Sequence, residues 1–565
     1  MPFDSRENLS SMISRRSALR MLAAVGGVTI AAACGPSVPS AAPTSAPAAA
    51  PKPAATTPPP AAPGGATAAA PAPAATATQP AAAAAGAAPK SGGTLRVAIG
   101  ADPASLDGHL FAAGRFDTTW LIYDRLTEYD LKLKPQPMLA ESWDVSSDYK
   151  SIKLNLRKGV TYHDGREFTS DDVKYNFLRV RDPKVGAGAF VNQSNWFTSF
   201  DTPDKNTIIL NSDQPRPLVF DFFERLNMVD KNIMEGPDVK TKANGTGPFK
   251  FVEWIQGDHF SAEKNKNFWM PGRPYIDGVK TLILKDQQGA VAQFEAGQLD
   301  VFETMNLIDF LRLRKDPKYA TVVNDIPTGM YCFGLNTTWA PLDNKMVRQA
   351  LNYAINRKRW VEGYFQDTSV PISLEWYRGT PMHDDARENF YAFDLDKAKS
   401  LLQQSSVGPF AMDMVLIASA ESTPLVQIYQ ADLATLGITL NIVNMDLAAW
   451  LDNVNNRKYH GAYYSPAGIA ASVGTELTTS KVWQTGNNNS GFDSPEYQQL
   501  STATTTETDP AKLNQLYKQV NDLMLDESFA IPLTWRPPSN MTRAAVHATN
   551  NFFGGWWYRD VWVDG

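Results

Sequence analysis

The chain has 565 residues, 62.0 kDa and a formal net charge of −6, with a pI of about 5.7. No basic patch or Lys/Arg run appears in its body, which argues against nucleic acid as a partner. With only two cysteines the fold must rest on core burial, and the length is sufficient for two or three lobes.

The N-terminal stretch is basic, carries Arg15-Arg16 and continues into an uncharged small-residue run from Met21 to Ala33. That run is too short to span a bilayer, which takes about 20 residues, and Gly26-Gly27 weakens its helicity. Ser14-Arg15-Arg16-Ser17-Ala18-Leu19-Arg20 resembles a twin-arginine export motif. It departs at Ala18, where the motif carries an aromatic, so general secretion stays open. Ala31-Ala32-Ala33-Cys34-Gly35 resembles a bacterial lipobox, which implies diacylation of Cys34 and cleavage just before it. The alternative is a cleaved soluble signal with an incidental cysteine. Acyl chains contribute ~0.8 kcal/mol per buried methylene, so several chains together make a stable anchor. With Cys34 lipidated, Cys332 has no disulfide partner. From Gly35 to about Ser91 the chain is almost entirely Ala, Pro, Thr and Gly. It has no apolar period, which predicts a disordered tether reaching about 40 Å as a coil and ~180 Å when extended.

The body then alternates between strand and helix signals. Leu95, Val97 and Ile99 alternate with Arg96 and Ala98, which predicts a half-buried strand, and Ile152, Leu154 and Leu156 predict a second. Thr169-Ser170-Asp171-Asp172 has capping-box spacing, with Val173, Phe177 and Val180 following on one helical face. Val347, Ala350, Leu351, Ala354 and Ile355 fit an amphipathic helix, with Asp343 and Asn344 as N-cap candidates. Residues 411–443 read as a βαβ unit. A buried strand spans Met412–Ile417, and a helix from about Thr423 carries Val426, Tyr429, Leu433 and Leu436. The helix stops at Gly437, and a second strand carries Ile438, Leu440 and Ile442. That order implies parallel neighbouring strands and mixed α/β lobes.

Four groups of motifs resemble the bacterial extracellular solute-binding proteins of family 5, the peptide- and nickel-binding group that feeds ABC importers. The first joins Leu139-Ala140-Glu141-Ser142-Trp143 to Leu156–Gly165 and Phe168–Val173. The second is Gly245-Thr246-Gly247-Pro248-Phe249 with Glu263-Lys264-Asn265 and Phe268-Trp269. The third is Leu335-Asn336-Thr337 with Val347–Leu351 and Tyr353–Asn356, and the fourth is Asp394–Leu402. Within these motifs Gly159, His163, Asp164, Gly165 and Arg348 read as scaffold. The resemblance implies an α/β, two-lobed, periplasmic-binding-protein-like fold with a hinge and an extra inserted domain. Expected boundaries are 1–34 for the export signal and 35–92 for the linker. Domain I would be 93–136, 243–333 and 531–565, domain II 137–242 and domain III 334–530. It further implies a closing cleft that delivers its solute to ABC permease subunits without chemistry. A monomer without cofactor or metal is expected, lipid-anchored at the outer face of the cell membrane or periplasmic.

Peptide-binding members of the family place an Asp after the strand near residue 463, for the ligand's amino group. This chain reads Tyr463-Tyr464-Ser465-Pro466-Ala467-Gly468 there. Binders of short peptides place an Arg after the strand near residue 417, for the carboxylate, and this chain reads Ala418-Ser419-Ala420-Glu421. An unpaired buried charge costs several kcal/mol, so a short free dipeptide is disfavoured. Aromatics are plentiful instead, and flat indoles suit sugar rings. The candidate ligand residues are therefore Trp376, Tyr377, Arg378, Ser465, Trp483, Asn487 and Trp535, with Asn488 and Asn489 as neighbours, for an oligopeptide or an oligosaccharide. The competing reading of each Trp is ordinary core packing. The six histidines lie far apart, with no His/Cys cluster at ligand spacing. A secreted glycoside hydrolase is the alternative use of a Trp-rich cleft. However, no Gly-x-Ser-x-Gly motif, phosphate loop or dinucleotide fingerprint is present.

Overall fold

The computed structural model describes residues 88–110, 116–321, 327, 329–417, 419, 421–468, 472–551 and 555–564. Arg15, Arg16, Cys34 and most of the 35–92 segment lie outside the described residues.

The alternation around Leu95 becomes the strand Thr94–Ile99, and that around Ile152 becomes Ser151–Leu156. In both, the alternating apolar positions are buried, and in Thr94–Ile99 Ala98 on the opposite face is buried too, so this strand is more deeply covered than its half-buried pattern predicts. Thr169 closes a capping box on the helix Ser170–Arg179, its backbone N–H donating to the Asp172 carboxylate at 2.8 Å. The same carboxylate accepts from Arg166 at 2.8 Å, and Arg166 reaches Asp230 at 2.6 Å. Asn344 rather than Asp343 caps the helix Lys345–Tyr353, accepting from the Met346 N–H at 2.9 Å. The βαβ unit is present as Phe410–Ile417, the helix Ser422–Ala434 and Ile438–Met445, with the two strands parallel along their whole length.

Three larger sheets organise the chain. A seven-stranded mixed sheet runs in the order Tyr319–Thr321, Met541–Arg543, Val301–Phe302, Thr94–Ile99, Gly278–Ile283, His259–Lys264 and Phe249–Ile255. A four-stranded antiparallel sheet holds Ala140–Val145, Ser151–Leu156, Thr207–Asn211 and Ser199–Asp204. A five-stranded sheet orders Ile438–Met445, Phe410–Ile417, Gly461–Gly468, Gly329–Leu335 and Ala530–Trp535. The chain leaves the seven-stranded sheet after Thr321, enters the five-stranded sheet at Gly329, and returns between Trp535 and Met541.

The largest core joins Ala98 and Phe302 of the first sheet to Leu335, Met414 and Leu533 of the third. The four-stranded sheet has its own core, centred on Phe177. That ring meets Phe197, Phe200, Phe222 and Phe223 edge-on at 5.1–6.1 Å. The motif glycines Gly245 and Gly247 lie against backbone. A Cβ would fall 2.0 Å and 2.5 Å from the Ile122 carbonyl oxygen. His163 holds this turn, its Nε2 at 3.0 Å from the Gly247 carbonyl oxygen, so its place is structural.

His109 is fully buried beneath the four-stranded sheet's helix Ser170–Arg179. Asn176 donates to two carbonyls, of Asp172 and Val229, so its Oδ1 faces the imidazole as an acceptor. His109 Nε2–H therefore donates to it at 2.9 Å, and the bare Nδ1 accepts from Arg179 at 2.8 Å. Burial, then the Arg179 charge, lowers the His109 pKa from 6.5 to about 4. Burial likewise takes His163 to about 4. Between those values the unfolded chain binds protons that the folded chain refuses. Stability is thus complete above pH 6.5 and is lost as pH falls through that window. Glu224, raised by burial from 4.5 to about 8, acts in the opposite sense, its contribution being lost as pH rises between those values. We expect His109→Gln to flatten the acid limb of the melting-temperature profile between pH 6.5 and 4, by on the order of 3 kcal/mol. An acid limb identical to that of the parent protein contradicts this assignment.

Candidate functional site

Strand direction in the five-stranded sheet selects one edge. Phe410–Ile417, Ile438–Met445 and Gly461–Gly468 are mutually parallel. Gly329–Leu335 runs against Gly461–Gly468 and against Ala530–Trp535, so Ala530–Trp535 points the same way as the first three. Four carboxyl ends and the start of Gly329–Leu335 therefore meet at one edge, the position at which open α/β sheets collect ligands. The residues delivered there are Tyr331, Glu421, Tyr464, Trp535 and Arg536. The Tyr331 and Tyr464 rings stack at 5.6 Å and 12°.

Two cavities open beside this edge. The larger, about 830 Å³, is lined among others by Val370, Trp376, Tyr377, Arg378, His383 and Trp535. The smaller, about 370 Å³, is lined by Tyr129, Leu133, Asp221, Glu375, Tyr377 and Ser472 among others. Trp376 and Tyr377 border both. The structure thus brings Trp376, Tyr377, Arg378 and Trp535 together around one space. Their roles within it differ. The Trp376 ring is buried and its Nε1–H donates to Asn521 at 2.8 Å, so it supports the wall more than it offers a face. Burial pushes the Tyr377 hydroxyl up to about 12, and the hydroxyl has no hydrogen-bond partner among the described residues. The Tyr377 ring meets Trp535 edge-on at 6.5 Å, and Trp535 itself is only half-buried. Arg378 is exposed and pairs with Glu388 at 2.9 Å and Asp385 at 3.3 Å.

Three of the sequence-selected residues line neither cavity. Trp483 is 1% exposed and packs edge-on against Phe529 at 5.6 Å, a core position. Its size and apolar face are satisfied by the protein itself, which corrects the expectation that it faces the cleft. Asn487 is exposed, and its carbonyl accepts from Gln484 Nε2 at 3.0 Å, while Asn488 and Asn489 are buried. Ser465 alternates with Tyr464 and so turns to the other sheet face, where its carbonyl accepts from Cys332 Sγ at 3.7 Å.

Sequence reasoning missed Asp221. It lies on the helix Val219–Arg225, and its carboxylate accepts from the Tyr129 hydroxyl at 2.7 Å, from the Thr475 hydroxyl at 2.5 Å and from the Ser472 hydroxyl. Ser472 caps the helix Val473–Thr479. One buried carboxylate thus joins the core of the four-stranded sheet to the helices packed on the five-stranded one. A lone acid in the aromatic run Val219-Phe220-Asp221-Phe222-Phe223 was the available signal. Deeper still, burial and then the charge of Glu476 push Glu375 well above the usual carboxylate range, favouring its neutral form. The sequence showed no metal-ligand cluster, yet His383, Asp385 and Glu388 bring ligand atoms within 4.8 Å of one another. Arg378 already supplies the positive charge there, and His383 Nδ1 is engaged by the Trp376 carbonyl at 2.8 Å.

A family model for bacterial extracellular solute-binding proteins, family 5 (middle region), matches residues 134–490. The chain belongs to this family. Its members are the extracytoplasmic or periplasmic binding components of ABC importers, for peptides or related ligands. Heme-binding protein A of Haemophilus influenzae is 26% identical over 449 residues, covering 73% of this chain and 81% of that protein. Glutathione-binding protein GsiB of Salmonella choleraesuis is 26% identical over 430 residues, covering 73% and 82%. The periplasmic binding protein DppA from Helicobacter pylori, solved with the peptide STSA, superposes with a TM-score of 0.74 at 22% identity. That match covers 84% of this chain and 99% of DppA. The fold is therefore the two-lobed α/β fold of periplasmic binding proteins. Nothing in these matches supports a glycoside hydrolase. Among the described residues no helix is long and apolar enough to cross a membrane.

Core and wall positions separate experimentally. Trp483→Ala is expected to lower unfolding stability by about 3–5 kcal/mol through the cavity it leaves. Trp535→Ala is expected to leave the melting temperature nearly unchanged and to weaken solute binding by ~1–3 kcal/mol. Denaturant titration together with calorimetric binding distinguishes them, and equal destabilisation by both changes contradicts the placement.

Proposed function

We propose that this chain is the lipid-anchored receptor of an ABC importer, capturing a peptide-sized solute between its lobes and handing it to the permease. The observation that carries this reading is the cavity of about 830 Å³ beside the converging strand ends. It lies within the ~300–1,000 Å³ typical of small-molecule sites and is lined by aromatic groups, Trp376, Tyr377 and Trp535 among them, together with many polar and charged ones such as Arg378, Asp384 and Glu388.

An oligopeptide or related compound fits better than an oligosaccharide. Sugar stacking needs exposed indole faces, and of the three candidate tryptophans Trp483 is in the core, Trp376 is buried and Trp535 alone is half-open. Of the three relatives named above, two are named with peptides, glutathione and STSA, one with heme and none with a sugar. In this reading the lobes divide near the expected boundaries at 93–136, 137–242, 243–333, 334–530 and 531–565. The crossings after Thr321 and after Trp535 then form the hinge. Ligand selects the closed arrangement, in which Asp221 bridges Tyr129, Ser472 and Thr475. No bond is made or broken in the solute. Cys34 carries the acyl anchor, and the Ala/Pro/Thr segment gives the lobes reach.

A thermal-shift screen of the purified chain against tri- to pentapeptides and oligosaccharides tests the receptor reading. A peptide at ~100 times its Kd adds about 2.7 kcal/mol and raises Tm by a few degrees, with the peptide recovered intact. Recovery of cleaved ligand, or stabilisation by sugars alone, contradicts it. Cys34→Ser is expected to shift the protein from the membrane to the soluble fraction, and unchanged membrane retention contradicts the anchor.

A further inference from the structure

The strand edge holds a charged group to which the receptor reading assigns no task. Glu421 immediately precedes the helix Ser422–Ala434, and the turn before it is fixed. Ser419 Oγ accepts from the Ser422 N–H at 2.9 Å, and Ser422 Oγ donates to the Ile417 carbonyl at 2.8 Å. The Glu421 carboxyl is therefore held at the end of Phe410–Ile417. Its Oε1 is shut off from solvent and has no hydrogen-bond partner among the described residues. Tyr464, 4% exposed, faces the same group with a hydroxyl that is equally without a partner among the described residues. Arg536 acts through its charge on both Glu421 and Tyr331. Its backbone N–H donates to the Gly329 carbonyl at 2.8 Å, and a Cβ on Gly329 would stand 3.0 Å from its Cδ.

Native proteins seldom leave two buried polar groups unmatched side by side, because each costs about 1–3 kcal/mol. Sited where such sheets collect ligands, the pair is shaped for a group that brings its own donors and a positive charge. We propose that Glu421 Oε1, with the Tyr464 hydroxyl beside it, seats a protonated amine of the solute, and that Arg536 faces an anionic part of the same molecule. The amine donates to Oε1 and to the Tyr464 oxygen, and its charge replaces the water that the carboxylate has lost. Burial raises the Glu421 pKa, while a hydrogen bond from Tyr331 and the Arg536 charge pull it back down, so a bound cation shifts it further towards the ionised form. The solute class is then an amine-bearing peptide. Its amino group is recognised by an acid following Phe410–Ile417, not by one following Gly461–Gly468. This inference rests on the receptor reading above.

The test uses the full chain and two probes: a tetrapeptide pool with free amino termini and the same pool N-acetylated and lysine-free. The parent protein should bind the free pool at least tenfold tighter than the acetylated one. Glu421→Gln should erase that preference while keeping its affinity for the acetylated pool, with the melting temperature within a degree or so of the parent's. Tyr464→Phe, which keeps the ring stack on Tyr331, should reduce the preference several-fold. Equal binding of the two pools by the parent protein, or a preference that survives Glu421→Gln, overturns the amine seat and leaves the receptor reading intact. Failure of the parent protein to bind either pool overturns both.

Discussion

The antiparallel insertion of Gly329–Leu335 between Gly461–Gly468 and Ala530–Trp535 is the constraint on which the site depends. It places the start of one strand beside the ends of the others, so side chains from positions 331, 421, 464 and 535–536 share one edge. The insertion needs small residues in the crossing strand. A Cβ at Gly334 would fall 2.1 Å from the Tyr463 ring, and one at Gly329 would fall 2.3 Å from the Ala467 carbonyl oxygen. Any larger residue at either place pushes the strands apart and separates the groups that meet at the edge.

Asp221 shows how the separate cores are made to act together. Taking a carboxylate out of water costs several kcal/mol, and hydrogen bonds to a charged group recover about 1.5–3 kcal/mol each. Three hydroxyl donors from two different parts of the chain are enough to hold it. The balance holds only while Tyr129 and the Ser472–Thr475 turn stand on either side, so the lobe opening proposed above would expose Asp221 to solvent as its donors withdraw. A contact of this kind is stable when closed and readily rehydrated when open, which suits a receptor that must close on a solute and then release it. The aromatic core around Phe177 has no such exchange open to it, because the rings that meet there carry no polar group to be rehydrated.

Local signals in the sequence were legible where the physics is local. The Thr169–Asp172 capping box, the Asn344 cap and the βαβ unit at 410–445 each depend on residues a few positions apart, and each is present in the structure. The aromatic site was legible only in part. Trp535 and Trp483 look alike in the chain, yet one flanks a cavity and the other fills a core. The difference is made by Phe529 and by strand pairings across more than a hundred residues. Ser465 lies one step of strand alternation from Tyr464, whose ring stacks on Tyr331, so the two turn to different sheet faces. The family's Asp and Arg are absent from their two usual positions, and charge reaches the same edge from residues distant in the sequence. In three dimensions Glu421 and Arg536, 115 residues apart in the sequence, both act on the Tyr331 hydroxyl.

The account stands on the claim that solute binds at the convergent edge of the five-stranded sheet and draws the two lobes together over it. Hydrogen–deuterium exchange of the full chain, with and without a saturating tetrapeptide pool, addresses that claim most directly. The account predicts new protection confined to the segments around Tyr331, Trp376–Arg378, Glu421, Tyr464 and Trp535–Arg536 and to the Asp221–Ser472 contact, with exchange around Trp483 unchanged. Protection that falls elsewhere, or exchange at these segments that is indifferent to bound peptide, contradicts it.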